Sequence, residues 1–360
     1  MVRKKIIHVI GARPQFIKLS ILFKAIKKKL NVKNLIVHTG QHYDYEMSKI
    51  FFKELNIPEP YFNLNLHKFL SQNQRLSQMI SKLEKSFLKI GKIDLVLIYG
   101  DTDSTLAAAI VARKLNLKII HVEAGLRSFD KKMPEEQNRI IADHLSDYLI
   151  SPTLSSTNNL LAEGIDAKKI YQLGDVMKDS VDYYLKLLNK NKFDIFLKNN
   201  KLSIYKYALF TLHRKENTSS LRLKKIINEI GKLKYYFFWP LHPNIKKICI
   251  KNKISFPQNL KVSKPVSYLE SLLLIRNSDF VVTDSGGLQK EAFFLKKKCL
   301  ILRDRTEWLE LLKFNSYLID TNISKIPYLL KLKERNYSVN IFGKFSASLK
   351  ISSLIKKILF

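Results

Sequence analysis

The sequence predicts an α/β protein of two doubly wound parallel sheets, each in its own domain. Three observations predict it. Eight short apolar runs of strand length, each ending in polar or glycine residues, recur along the chain, and such runs mark strands buried on both faces. Helical segments separate them, as βαβ units require. A chain of 360 residues also exceeds what one core of ordinary size accommodates.

In chain order, the first half reads "KIIHVI", "NLIVHTG", "DLVLIYG" and "KIIHVEAG" as strands. Between them, "PQFIKLSILFKAIKKKL" and "DSTLAAAIVARKLN" place apolar residues three and four apart and end in lysines or Asn116, the pattern of amphipathic helices. The lysine- and asparagine-rich "LNKNKFDIFLKNNKLSIYK", with weak strand signal, reads as the boundary. The second half resumes with "YALFTLH", "YYFFWPLH", "DFVVTDSG" and "CLILRD". The expected division is a first domain over 1–175 and a second from 176 onward.

Charge and cysteine content exclude several classes. The net charge of +32 arises from 63 Lys+Arg against 31 Asp+Glu, but the lysines are spread through almost every segment instead of concentrating on one element. That argues for solvated faces over a nucleic-acid or anionic-lipid binder. No apolar run approaches the roughly 18 residues of a membrane span, and the basic start "MVRKKIIHVI" is too short for a signal peptide. Cys249 and Cys299 lack C-x-x-C spacing, so neither a disulfide framework nor a zinc site is expected, and the cytoplasm is the expected compartment.

In open α/β sheets, ligands sit outside the carboxyl ends of the strands. Those ends carry Arg13 and Lys18, Gln41 and His42, Asp101 and Asp103, and Glu123 and Arg127 in the first half. The second half offers His213, Arg214 and Glu216, then His242, then Asp284, Ser285 and Gly286, then Arg303 and Asp304. Two such rims facing each other would form one cleft. The stretch "IIHVIGARPQFIK" has one glycine, Gly11, where a dinucleotide fingerprint has three, and presents Arg13 and Lys18 instead. "TDSGGLQKEA" opens a helix after a strand, so its Ser285, Gly286 and Gly287 amides can meet a phosphate and Glu291 can accept ribose hydroxyls; the alternative is a glycine turn capped by Asp284 or Ser285. After Pro134, Glu135, Glu136 and Arg139 open a helix, where glutamates are often dipole complements, the reading Glu136 receives. Glu123, at the end of a buried strand, needs a partner or a task. Asp101 and Asp103 suggest a magnesium pair, against which Arg13, Lys18 and Arg214 can neutralise a diphosphate unaided. His213 is either a titratable group beside a phosphate clamp or a histidine satisfied by a backbone carbonyl.

Taken in order, G-x-R-P-x-x-x-K, "TGQH", "GDT", "HVEAGLR", "PEExNR", "HR.EN", "HPN", "TDSGGxQxEA" and "RD.TEW" resemble the non-hydrolysing UDP-N-acetylglucosamine 2-epimerase superfamily. The resemblance runs from about residue 5 to residue 320. It implies two Rossmann-like domains, GT-B glycosyltransferase-like, facing across a cleft. The second, over 176–345, would bind UDP, and a last helix over 346–360 would cross back to the first. It further implies a homodimer, a UDP-sugar substrate, and neither cofactor nor metal. The reaction implied is inversion at C2 of a UDP-linked 2-acetamido sugar, by elimination of UDP to a glycal and re-addition. Asp101, Glu123, Glu135 and His213 would then be catalytic. Arg13, Lys18, Arg127, Arg139, Arg214, Glu216, His242, Ser285, Gly286, Gly287, Glu291 and Arg303 would bind substrate.

Within the superfamily, "GARPQFIK", "LRSFDKKMPEEQNRI" and "TEWLEL" look like the UDP-2,3-diacetamido-2,3-dideoxyglucuronate 2-epimerases of surface-polysaccharide synthesis. Relatives acting on UDP-N-acetylglucosamine itself typically show Glu at Gln15 and R-P-E at Trp308 and Leu309, and carry an arginine after Gln-His where Tyr43 and Asp44 stand here. The alternatives are UDP-N-acetylglucosamine itself, giving UDP-N-acetylmannosamine, and, further off, a GT-B glycosyltransferase.

Overall fold

The computed structural model describes residues 3–41, 45–66, 71–188, 190–202, 206–337, 339–344 and 346–360. His42, Tyr43 and Asp44, noted in the sequence, lie outside them. The chain divides into two compact units, Met1–Ser180 with Val339–Phe360, and Val181–Ser338.

The first unit holds β1 (Lys5–Ile10), β2 (Lys33–His38), β3 (Phe62–Asn63), β4 (Leu95–Tyr99), β5 (Ile119–Val122), β6 (Tyr148–Ser151) and β7 (Ile170–Gln172). The second holds β8 (Ala208–Thr211), β9 (Phe237–Pro240), β10 (Leu260–Ser263), β11 (Phe280–Thr283), β12 (Lys298–Ile301) and β13 (Ser316–Leu318). The sheet orders are β3-β2-β1-β4-β5-β6-β7 and β10-β9-β8-β11-β12-β13, and every pairing is parallel. Each order reverses once, between β1 and β4 and between β8 and β11, and doubly wound sheets place ligands at those reversals.

All eight apolar runs read from the sequence form strands. The five strands without such a run include β3, β7, β10 and β13, the four sheet edges. An edge strand is partly solvated, so it carries fewer apolar residues. The segment read as a boundary linker is largely the helix Lys190–Asn199.

Burial explains why the central strands are so apolar. Ile7, Val9, Val96 and Ile98 pack on Ala107, Ala108 and Val111 of the Asp103–Lys114 helix, where alanines let helix and sheet approach closely. In the second unit Phe210, Trp239, Val282 and Leu300 fill the corresponding layer. The C-terminal helix Ala347–Leu359 belongs to the first unit. Asp179 accepts from the Ser346 hydroxyl at 2.8 Å and the Ser348 amide at 2.7 Å to fix that helix's start, and Lys29 donates to the Leu349 carbonyl at 3.2 Å.

Gly11 is required by space. A Cβ there would stand 2.1 Å from Thr39 Oγ1 and 2.2 Å from Ser104 Oγ, two hydroxyls already hydrogen-bonded at 2.7 Å. The single glycine of the first turn therefore lets three segments meet. Gly11→Ala is expected to destabilise the first unit by about 1–3 kcal/mol through overpacking, read as a lower denaturant midpoint with little change in slope.

Candidate active site

In the first unit the β1 turn and the end of β4 are tied by one buried side chain. Gln15 Oε1 accepts from the Gly11 and Ala12 amides at 2.7 and 3.0 Å, while Nε2 donates to the Tyr99 carbonyl at 2.8 Å. This brings the Arg13–Lys29 helix against the turn that carries Asp101. Lys18, buried on that helix, donates to Glu123 Oε1. A Cβ on Gly100 would lie 3.3 Å from Lys18 Nζ and 3.5 Å from Glu123 Oε1, so the Lys18–Glu123 pair stands directly beside the Gly100–Asp101 turn. Glu123 has φ +75°, the left-handed region that L-residues rarely adopt and that clusters at functional sites.

Arg139 links the remaining acids. Its guanidinium donates to Asp101, and to Glu136 Oε2 at 2.8 Å. Asp101 keeps a partly open side chain, whereas Glu136 is buried. Glu136 also accepts from the Ser128 amide, the Ser128 hydroxyl and the Phe129 amide at 2.8–2.9 Å, so it is more than a dipole complement and shapes the loop before its own helix. Glu135, one residue earlier in the first turn of Pro134–Leu145, is half-buried. Asp103 takes Asn138 Nδ2 at 3.0 Å, and Thr102, not Asp103 or Ser104, holds the N-cap position of the alanine-rich helix. Asp101 and Asp103 thus turn to different partners. Arg13 is exposed, its guanidinium 5.5 Å from the Phe51 ring centroid.

Arg127 is buried. It grips Glu163 through Nε and Nη2, both at 2.6 Å, donates to the Leu126 carbonyl at 2.6 Å and pairs with Asp143 at 2.8 Å, with its side chain 1% exposed. These contacts turn Arg127 toward partners within the first unit.

In the second unit Asp284 is the organising group. Fully buried, it accepts from the His213 amide (3.0 Å), the Arg214 amide (2.9 Å), Asn217 Nδ2 (3.1 Å) and His213 Nδ1 (2.9 Å). Burial alone would raise its pKa; the His213, Arg214 and Asn217 donors outweigh that and hold it at about 2. His213 is thereby satisfied by a carboxylate, not a backbone carbonyl, and its half-exposed ring has Nδ1 turned inward. Arg214 Nε donates to the Asp284 carbonyl at 3.1 Å. Glu216 is exposed in the following turn, Lys215–Asn217.

Ser285 caps the Gly286–Phe294 helix, its Oγ accepting from the Leu288 amide at 3.4 Å. A Cβ on Gly286 would sit 2.3 Å from Glu307 Oε1, whereas one on Gly287 would meet only Ser285 Oγ at 4.0 Å. The helix start is therefore closed on one side by a carboxylate and open on the other. Glu307 pairs with Arg303 at 2.7 Å and lies 4.0 Å from Arg214. Arg303 is buried against it in an internal ion pair. Glu291 is buried in the same helix, and Lys290 lies over the Trp308 ring at 4.1 Å. His242 is exposed and caps the Pro243–Lys251 helix, accepting from the Asn244 amide at 3.2 Å. Gln15 as a weld, Asp143 and Glu307 were not among the sequence candidates. An acid within a helix or loop reads as solvated unless its burial is known, and only the fold shows that.

The acid limb of stability follows from Asp284. Its carboxyl is held at about 2 against an ordinary 3.8, so the stabilisation is fully present above about pH 4 and is lost as pH falls through 2. The loss is expected to be about 2 kcal/mol, read as falling urea midpoints across this window, with Asp284→Asn flattening the dependence.

The chain matches the family described as UDP-N-acetylglucosamine 2-epimerase over residues 24–356. A Methanococcus maripaludis relative named "UDP-N-acetylglucosamine 2-epimerase homolog" is 45% identical, covering 98% of this chain and 100% of its own. The UDP-2,3-diacetamido-2,3-dideoxy-D-glucuronate 2-epimerase of Pseudomonas aeruginosa is 43% identical, covering 85% of each. The crystal structure of Methanocaldococcus jannaschii UDP-GlcNAc 2-epimerase in complex with UDP-GlcNAc and UDP superposes with TM-score 0.90 at 38% identity, covering 98% of this chain and 99% of that one.

Proposed function

Because the chain belongs to the UDP-N-acetylglucosamine 2-epimerase family and is a UDP-sugar 2-epimerase, we propose that it inverts C2 of UDP-2,3-diacetamido-2,3-dideoxyglucuronate for surface-polysaccharide synthesis. The C2 proton is not acidic in the ground state, since no carbonyl adjoins C2. Departure of UDP changes that. As the C1–O bond breaks, the ring becomes oxocarbenium-like, C2–H acidifies, and loss of the proton leaves a glycal and UDP. Proton return on the other face with re-addition of UDP gives the epimer.

The observation that carries this reading is the set of paired carboxylates at the strand ends of the first unit. Glu123, compensated by Lys18, and Asp101, compensated by Arg139, are assigned the proton transfers with Glu135, and together they shield the cationic ring. Arg13, Arg214 and the Ser285–Gly287 helix start are assigned the charge that grows on the departing diphosphate, an interaction stronger in the transition state than before it. His213, oriented by Asp284, is assigned to the sugar–phosphate end, and Glu216, His242 and Glu291 to further substrate contacts. The reading includes a homodimer working in the cytoplasm.

Asp101→Asn, Glu123→Gln and Glu135→Gln are each expected to lose about 10²–10⁴-fold in kcat while remaining folded at the assay temperature, with Glu123→Gln lowering the melting temperature because it leaves Lys18 buried without its partner. Deuterium should enter C2 when wild-type enzyme and UDP-sugar are mixed in heavy water without an acceptor; transfer to an acceptor without exchange would instead identify a glycosyltransferase.

The sugar is read from its extra carboxylate at C5, which a closed site must pair with a cation. Lys131 and Lys132, exposed just before Glu135, are the candidates, while Arg305 already pairs with Asp304 at 3.0 Å on the surface. Lys131→Ala or Lys132→Ala is expected to raise KM for the uronate by about 10-fold or more, leaving UDP-N-acetylglucosamine unchanged. Wild-type preference for UDP-N-acetylglucosamine in kcat/KM would replace this substrate by that alternative.

A further inference from the structure

Behind the acids of the first unit runs a chain of side chains, buried except at Glu163, to which the proposed reaction assigns no proton transfer. Glu163 is gripped by Arg127, Arg127 pairs with Asp143 Oδ2 at 2.8 Å, and Asp143 Oδ1 lies 2.7 Å from His121 Nδ1. The other ring nitrogen of His121, Nε2, lies 2.7 Å from the Gly100 carbonyl oxygen. His121 and Asp143 have no exposed side-chain surface.

Hydrogen counting constrains the ring. A neutral imidazole has one donor nitrogen and one acceptor. Here both nitrogens face acceptors, a carboxylate on one side and a carbonyl on the other, at distances that demand a proton in each gap. Asp143 is not the source of the second proton. Its other oxygen, Oδ2, accepts from the Arg127 guanidinium at 2.8 Å and from the Gly125 amide at 3.1 Å, a donor set that favours the ionised carboxylate.

We propose that His121 carries both ring protons and, as an imidazolium, is the positioning residue that fixes the two strand ends bearing Asp101 and Glu123. One ring proton holds the Gly100 carbonyl, immediately before Asp101. The other engages Asp143, whose Oδ2 accepts from the Gly125 amide at 3.1 Å, two residues past Glu123. The residue between, Glu123, sits at φ +75°, a conformation that persists only when its surroundings enforce it. This rests on the reading of Asp101 and Glu123 as the groups that move the proton at C2.

The test joins a spectrum to kinetics. In the full chain labelled with ¹⁵N-histidine, the signal lost in His121→Gln should show two protonated ring nitrogens at about pH 8, where exposed histidines are neutral. If that variant does not fold, the wild-type spectrum decides: one of the eight histidines must remain doubly protonated and protected from exchange. His121→Gln supplies one donor and Asp143→Asn removes the counter-charge. Each is expected to lower kcat about 10²-fold by misplacing the acids, while KM and the affinity for UDP stay within about twofold. A neutral ring in the spectrum overturns the proposal, as does unchanged kcat, or kcat falling together with UDP affinity as general damage would cause. A wild-type chain that epimerises no UDP-sugar sinks the reading beneath it; an active wild type with an equally active His121→Gln sinks this proposal alone.

Discussion

A carboxylate at the end of a buried strand cannot stand alone, because removing a charge from water costs several kcal/mol unless an opposite charge or several donors receive it. Glu123 meets that condition through Lys18, and much of the first unit's geometry follows. For Lys18 to arrive, the Arg13–Lys29 helix must start hard against the end of β4. Gln15 makes that weld, binding the Gly11 and Ala12 amides on one side and the Tyr99 carbonyl on the other. Gly11 then has no room for a side chain.

The second unit solves the same problem with donors instead of a salt bridge alone. Asp284 is enclosed by two amides, an Asn side chain and the His213 ring, so the strand-end turn after β8 and the helix start after β11 are one construction. Glu307 sits against Gly286 between Arg303 and Arg214. That carboxylate balances two arginines at a place where amides and a helix dipole already favour anions. Gly287 keeps the remaining approach open.

Paired acids suit an elimination in which charge moves. In the proposed reaction Asp101 and Glu123, each held by a cation, would shield a positive ring and give up or receive a proton without a change of fold. The supporting groups, Glu136, Asn138 and Asp143, bind backbone and side chains of the loops that carry the acids. Precision in the first layer depends on that second one, since a displacement of about 1 Å costs roughly two orders of magnitude in rate.

The sequence by itself determined eight of the nine interior strands, the α/β class and the rim residues, because a strand buried on both faces must be apolar throughout and must end where polar groups reach the surface. The edge strands β3, β7, β10 and β13 stayed hidden, since partial exposure erases that signal. So did the difference between an arginine that faces solvent and one that is consumed internally: Arg13, Arg127 and Arg303 look alike as letters, yet only Arg13 is exposed, while Arg127 and Arg303 are locked to Glu163 and Glu307. Those partners lie on other segments or in loops, and Arg127 meets its partner 36 residues away. Pairing across such separations is set by packing, which no local pattern of residues encodes; the charges were legible, and their partners were decided by the tertiary structure.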